Sequence, residues 1–477
     1  MSIGRRLTRN FTVLLAGNIV GQVFNLLAIL HLARVVTPSA FGAWNLASAW
    51  MLYLLRAGDF GLEVVGLRRV ARNPEDSSLW MTNIVLLRGV LAVLLFGVSV
   101  GLGSSGLIPA DAAGLLTLFA LTLFPMAMST DWIFDSRQEV LAVTLNRVIK
   151  GLLFFVLVVL FVRSTGDTEM AAWFYVASIA LPTFVLFHMA SREFHFSVRG
   201  FSAGRALQVF RESMPIGVAT ILTNYNLFAA TLIGGYLLTG SELGYFTAMH
   251  RLIVFVWAYA IVTFHRVLIP TLTTQFHGSK ELYIRFVQRF FNLAVIAAVP
   301  IGLAGLLLSE HIISLLYPPA YVGAAPVLRL LLWSLVLVIG RAIFEIALIA
   351  SDLQRRYSYG IVLVSIGYTA VTPFLILHKG IVGAALASLI VETAYFLALL
   401  ISFPHAKPFA LGTALWKPCL AAIIGIVPAL ITSSEQVWWV LPLVLALYIT
   451  ILVLSKGLTM KDFQLLRSML GKKTIEA

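Results

Sequence analysis

The chain has 477 residues, 60% of them hydrophobic and 12% charged, whereas a soluble domain is roughly half apolar and a quarter charged. That excess excludes a soluble globular protein, a disordered chain and a collagen-like repeat, and the lone Cys419 excludes an intrachain disulfide scaffold. At about 20 residues per crossing, the apolar content allows at most about fourteen spanning helices, and the net charge of +13 has to be tested against topology before an anionic partner is invoked.

In chain order, apolar runs of spanning length fall at 11–34, 40–57, 79–102, 112–133, 141–162, 170–190, 212–238, 245–272, 285–308, 324–349, 356–377, 380–401, 411–432 and 437–455. A short turn around Lys379 and Gly380 separates the eleventh from the twelfth. The first run is too long for the apolar core of a cleavable signal. Placing the N-terminus in the cytoplasm and alternating sides puts 27 of the 34 basic residues in cytoplasmic segments, Arg147 and Lys150 among them. Arg34, Arg163 and Lys379 fall outside, and Arg88, Arg251, Arg329 and Arg341 fall within spans. This is a positive-inside distribution, and it predicts that both termini are cytoplasmic. Loops are short, and the longest inside segments, 56–78 and 191–211, read as amphipathic connectors. Function must therefore reside in the helices.

A shift of 202 residues lays the turn from Pro38 to Trp44 over Gly240 to Phe246, and Gln22 over Asn224. The expected fold is all-α and polytopic, with about fourteen transmembrane helices. Two parallel six-helix lobes, 1–190 and 212–401, are joined by a linker at 191–211 and enclose a central cavity; 402–477 forms an additional helix pair and tail. Such a pairing of lobes suits alternating access.

Charges inside a bilayer need partners or a wet cavity, because each costs about 2.5–3.5 kcal/mol at a helix centre on insertion scales. Arg88 and Arg251 have no acid three or four residues away and are expected to be cavity-facing cations, with snorkelling to the interface as the alternative. Arg341 lies one turn from Glu345, either as a mutual ion pair or as a third cavity cation. Glu392 is mid-span with no local partner. On the first span Asn18, Gln22 and Asn25 share a face, and Gly17 and Gly21 make a small-residue step beside them. Thr220 and Asn224 occupy the equivalent seventh span. These amides either join helices or line the cavity.

The acids Asp59, Glu63, Glu75 and Asp76 share a connector with four arginines and read as a solvated mixed-charge face. Asp131 and Asp135, with Arg137 nearby, read as an interfacial ion cluster. The sequence has no GxxxxGK[ST], HExxH, CxxC or GxSxG motif. Accordingly no catalysis, cofactor, metal or nucleic-acid partner is expected.

The run from Asn10 to Gly21, Leu32-Ala33-Arg34 with Pro38 and Phe41-Gly42, and Asp59-Phe60-Gly61-Leu62 leading into Arg68-Arg69-Val70-Ala71-Arg72 resemble the amino-terminal pattern of bacterial polysaccharide exporters. Further on, Leu315 to Tyr321 followed by Ala324 to Leu331 resembles their outer loop entering the tenth span. These are the Wzx-type O-antigen (repeat-unit) flippases of the MOP exporter superfamily. The resemblance implies translocation of undecaprenyl-pyrophosphate-linked oligosaccharide across the bacterial inner membrane for O-antigen, capsule or exopolysaccharide synthesis. It implies that Arg88, Arg251 and Arg341 hold pyrophosphate or acidic sugar, that Gln22, Asn25 and Asn224 contact sugar hydroxyls, and that Glu392 couples an ion. The implied partners are the lipid-linked oligosaccharide, membrane lipids, and polysaccharide polymerase and chain-length proteins. A peptidoglycan-precursor flippase or a cation-coupled multidrug exporter of the same superfamily is the alternative. A membrane polymerase or ligase is the other, and it would need a sizeable periplasmic loop.

Overall fold

The computed structural model describes residues 3–403, 411–428 and 437–458, with side chains described for 13–257, 268–269, 271–403, 415–428 and 440–458. Of the basic residues counted above, Arg5, Arg6, Arg9, Arg266, Lys407, Lys461, Arg467, Lys472 and Lys473 lie outside those side chains. Among the described residues the regular structure is entirely helical, and a helix satisfies every interior backbone donor and acceptor within its own segment, one of the two ways of crossing hydrocarbon. The protein is a multi-pass membrane protein, and nine helical segments are long and apolar enough to cross among the described residues.

Among the described residues, helices fall on each of the fourteen apolar runs. They begin with α1 (Ile3–Val35), α2 (Pro38–Asp59), a short α3 (Leu62–Arg72) and α4 (Ser77–Ser104). The fourth run is three pieces, α5 (Ala110–Ala120), α6 (Leu123–Ala127) and α7 (Asp131–Ser136). Pro125 explains the first break: its ring clashes with the carbonyl four residues back, at Leu121, where α5 ends. Next come α8 (Val140–Phe161), α9 (Thr168–Glu193), α10 (Ala203–Leu237), α11 (Gly240–Gly278), α12 (Lys280–Leu316) and α13 (Ala325–Ala350). The eleventh and twelfth runs form one long element, α14 (Gln354–Ser402). Gly380 (φ 53°) breaks it, so one left-handed glycine does what the sequence suggested a short turn would do. Last are α15 (Leu411–Gly425) and α16 (Val437–Leu454); positions 429–432 of the thirteenth run lie outside the described residues.

The chain divides into two compact units, Met1–Ala248 with Tyr368–Ala384, and Met249–Gly367 with Ala385–Ala477. In the first, α1 runs along α8 and α2 packs against α5 and α10. Trp44, fully buried, sits at its centre with Phe119 edge-on at 4.8 Å and Phe154 stacked at 6.3 Å. In the second, α12 packs against α13 and α15, and Phe291, Phe344 and Phe396 form an aromatic cluster.

The two turns aligned by the 202-residue shift meet inside the first unit. A Cβ at Gly42 would strike the Gly240 carbonyl, and one at Gly244 would strike the Pro38 carbonyl. Pro38 aligns with Gly240 and Gly42 with Gly244. The contact is therefore reciprocal, the pattern a twofold relation imposes.

The connector after α2 turns through two left-handed residues, Phe60 (φ 45°) and Gly61 (φ 81°). Asp59 holds the corner by accepting from the Gly61 N–H at 3.2 Å and the Glu63 N–H at 3.1 Å. The following α3 is amphipathic, as expected, but its apolar face is covered by protein: Leu62, Val65 and Val70 join a core with Ile84 and Trp132.

Candidate functional site

The site grows from the close approach of α1 and α8. Gly17 abuts Thr144, Gly21 abuts the Arg147 carbonyl, and a Cβ at Gly151 would strike the Gly21 carbonyl. The small-residue step on α1 thus meets a matching glycine on α8, so the backbones touch and the longer polar side chains beside them are forced to one side. They line a cavity of about 220 Å³ with Asn18, Gln22 and Asn25 from α1, Arg147 and Lys150 from α8, and Tyr175 and Ser178 from α9. Gln22 is exposed and Asn25 half-buried.

By sequence both cations were counted with the cytoplasmic segments although they fall within the run 141–162; the structure places both within α8. Lys150 is the eleventh residue of the 22-residue α8, about 15 Å from its start at about 1.5 Å per residue. It makes no ion pair among the described residues. Arg147 donates to the Asn18 side-chain oxygen at 3.0 Å and lies 3.6 Å from Asp135 and 3.9 Å from Asp131. Asp131 also accepts from Asn146 at 2.8 Å. The partner of the two acids is therefore Arg147 and not Arg137, which instead donates to the Pro74 carbonyl and Ser77 and lies over the Phe194 ring.

Arg88, expected to be an unpaired cavity cation, has a partner. Its guanidinium pairs with Asp59, stands 3.9 Å from Glu63 and donates to the Ser129 carbonyl at 3.1 Å. It is 4% exposed. The acid comes from 29 residues away, beyond any search along one helix. Asp59 and Glu63 are thus not simply a solvated face. With Arg56 they line a second cavity of about 140 Å³ beside Arg88. Glu63 feels the charges of Arg88, Asp59, Asp131 and Arg147, and so connects the two clusters. Although part of its side chain reaches the cavity, the surrounding protein raises its carboxyl above the usual range; Arg88 opposes that and Asp59 reinforces it.

In the second unit Glu392, expected to lack a partner, has Arg341: the guanidinium Nε donates to it at 2.6 Å. Arg341 also pairs with Glu345, the i,i+4 reading of the sequence, and lies 4.6 Å over the Tyr395 ring. All three charged groups are buried, at 8%, 5% and 6% exposure. Two carboxylates share one guanidinium. Arg251 is half-buried on α11, beside His250 and within reach of Tyr317. The Asn224 side-chain amide donates to the Thr220 carbonyl at 2.8 Å, while its main-chain carbonyl accepts from the Tyr53 hydroxyl at 3.1 Å. It is not among the residues lining the cavity of Gln22 and Asn25. Among the described residues no group of three or more His, Cys, Asp or Glu side chains is placed to hold a metal.

Solved structures share this architecture. A lipid II flippase MurJ in an inward closed conformation matches with a TM-score of 0.73 at 11% identity, over 93% of this chain and 98% of that one. An inward-facing multidrug resistance MATE transporter of the MOP superfamily matches at 0.61 and 14% identity, over 84% and 99%. A MOP superfamily transporter from Pyrococcus furiosus matches at 0.57 and 14%, over 83% and 96%. At these identities the likeness establishes the fold, that of the MOP transporters. No curated protein matches by sequence. The polysaccharide biosynthesis protein family matches residues 7–276, more than half of the chain, and the protein belongs to that family.

Proposed function

We propose that the protein is a carrier, without catalytic activity of its own, that flips undecaprenyl-pyrophosphate-linked oligosaccharide repeat units from the cytoplasmic to the periplasmic leaflet of the bacterial inner membrane. The observation that carries this reading is the cavity between α1, α8 and α9, where two cations and three amides lie together within helices of spanning length. A pyrophosphate and a sugar head cannot cross hydrocarbon. Guanidinium and ammonium groups complement the phosphates, and amides complement hydroxyls. Lys150 and Arg147 are the proposed anion contacts and Gln22 and Asn25 the sugar contacts, with Arg251 a further cation. The family membership and the MOP fold support the same reading.

For coupling, Glu345 and Glu392, two buried carboxylates that share the Arg341 guanidinium, are the groups on which a proton or another cation would act. Export by Glu392→Gln that no longer responds to collapse of the ion gradient supports this role, and an unchanged response overturns it.

The decisive experiment is leaflet assignment of the lipid-linked repeat unit in a deletion strain. Accumulation on the cytoplasmic face supports the flippase. Normal flipping, with unpolymerised product outside, overturns it. A flippase for the peptidoglycan precursor would instead give lysis on depletion, with surface polysaccharide unaffected until growth stops.

A further inference from the structure

The arginines of α3 have no role in the site above. The apolar face of α3 is already covered by the core of the first unit, so α3 is not available to lie in the membrane on that face. The opposite face presents Arg68, Arg69 and Arg72 to a cleft of about 560 Å³ that Trp80, Asp76 and Glu212 complete. Arg69 is fixed: it donates to Glu212 at 2.5 and 3.3 Å, and its guanidinium lies 4.1 Å over the Trp80 ring. Arg68 and Arg72 are exposed, one helical turn apart, and among the described residues they have no hydrogen-bond or ion-pair partner. Residues four apart on a helix stand side by side. Two such forks beside a third, immobilised one offer donors suited to phosphate oxygens. The three arginines outnumber the two acids, so the cleft keeps a positive excess.

We propose that this cleft between α3 and α10 is a binding site for a lipid phosphate, taken from a phospholipid headgroup or from the pyrophosphate of a lipid-linked sugar. Arg68 and Arg72 grip its oxygens from either side.

The test uses the full-length protein in a maltoside detergent, which carries no phosphate, titrated separately with short-chain phosphatidylglycerol, short-chain phosphatidylethanolamine, undecaprenyl pyrophosphate and inorganic phosphate. The Arg68→Ala/Arg72→Ala double variant alters exposed side chains only, and its melting temperature checks that it folds. Arg285→Ala, a highly exposed arginine elsewhere, is the control. Wild-type and control protein are expected to bind at least one lipid probe, and the double variant to bind it about tenfold or more weakly, the loss expected for charged hydrogen bonds. Selective binding of a phospholipid assigns the site to the bulk membrane, and selective binding of undecaprenyl pyrophosphate assigns it to the sugar carrier. Binding of inorganic phosphate alone, no binding, or equal affinity in the double variant overturns the proposal. The readout is affinity and not transport, so it stands or falls separately from the flippase reading.

Discussion

Half-buried Lys150 and buried Arg88 show how differently two cations within helices can be held. Lys150 lies at mid-helix beside Asn25 and Gln22 without an ion-pair partner among the described residues. Its ammonium feels the Asp131 and Glu63 carboxylates only at longer range, which leaves it open to polar groups or anions that enter the cavity. Lys150→Met preserves the length of the side chain and removes the charge. We expect export to fall by about tenfold or more while membrane insertion and melting temperature are kept, measured by complementation of a flippase-null strain beside fluorescence-detected melting. Arg88 is already neutralised by Asp59. Its removal should act on stability, because an uncompensated carboxylate stays behind at a cost of about 3–5 kcal/mol. In a double-mutant cycle, Asp59→Asn/Arg88→Met should therefore melt closer to wild type than Arg88→Met alone. A double variant less stable than the sum of the singles would show that the pair is not the unit of stability.

At the scale of helices, the α1–α8 contact sets the cavity's shape. Gly151 has no room for a methyl group against the Gly21 carbonyl. Gly151→Ala should push the helices apart, cost about 1–3 kcal/mol as overpacking does, and move Gln22 and Asn25 away from Lys150. The checks are melting temperature and accessibility of a Gln22→Cys thiol in a Cys419→Ser background. The helices themselves were legible in the sequence, because hydrocarbon demands long apolar runs and Gly and Pro punctuate them, as Gly380 and Pro125 do. The site was legible only in part. Gln22 and Asn25 were visible as one face of one helix. The partners of Arg88 and Glu392 come from 29 and 51 residues away, a distance that packing decides and local spacing cannot. Arg147 and Lys150 were hidden for another reason: counting them as topology-setting charges overlooked their seven and ten residues of depth in α8.

At the scale of the molecule, the reciprocal contact of the Pro38–Trp44 and Gly240–Phe246 turns marks a point through which a pseudo-twofold would pass. Motion about such a point is least at the axis itself. The Ser39 Cβ lies 3.2 Å from where a Cβ at Gly240 would stand, close to the separation of about 3.5–4.5 Å in disulfides. Ser39→Cys/Gly240→Cys in the Cys419→Ser background should therefore oxidise spontaneously, read as protection from a thiol-reactive mass tag. The cross-linked protein should retain export. Loss of export on oxidation, restored by reductant, would place the moving seam at this contact instead.

The shared guanidinium of Arg341 also bears on how the protein is made. Glu345 is synthesised within the same helix, but Glu392 follows 51 residues later. When α13 leaves the translocon, Arg341 can be neutralised at once by its own helix and enters lipid as a paired group. The second half of α14 arrives afterwards, bringing a carboxylate whose cation is already in place. The order of residues along the chain thus delivers each buried charge into the bilayer only after, or together with, the group that receives it.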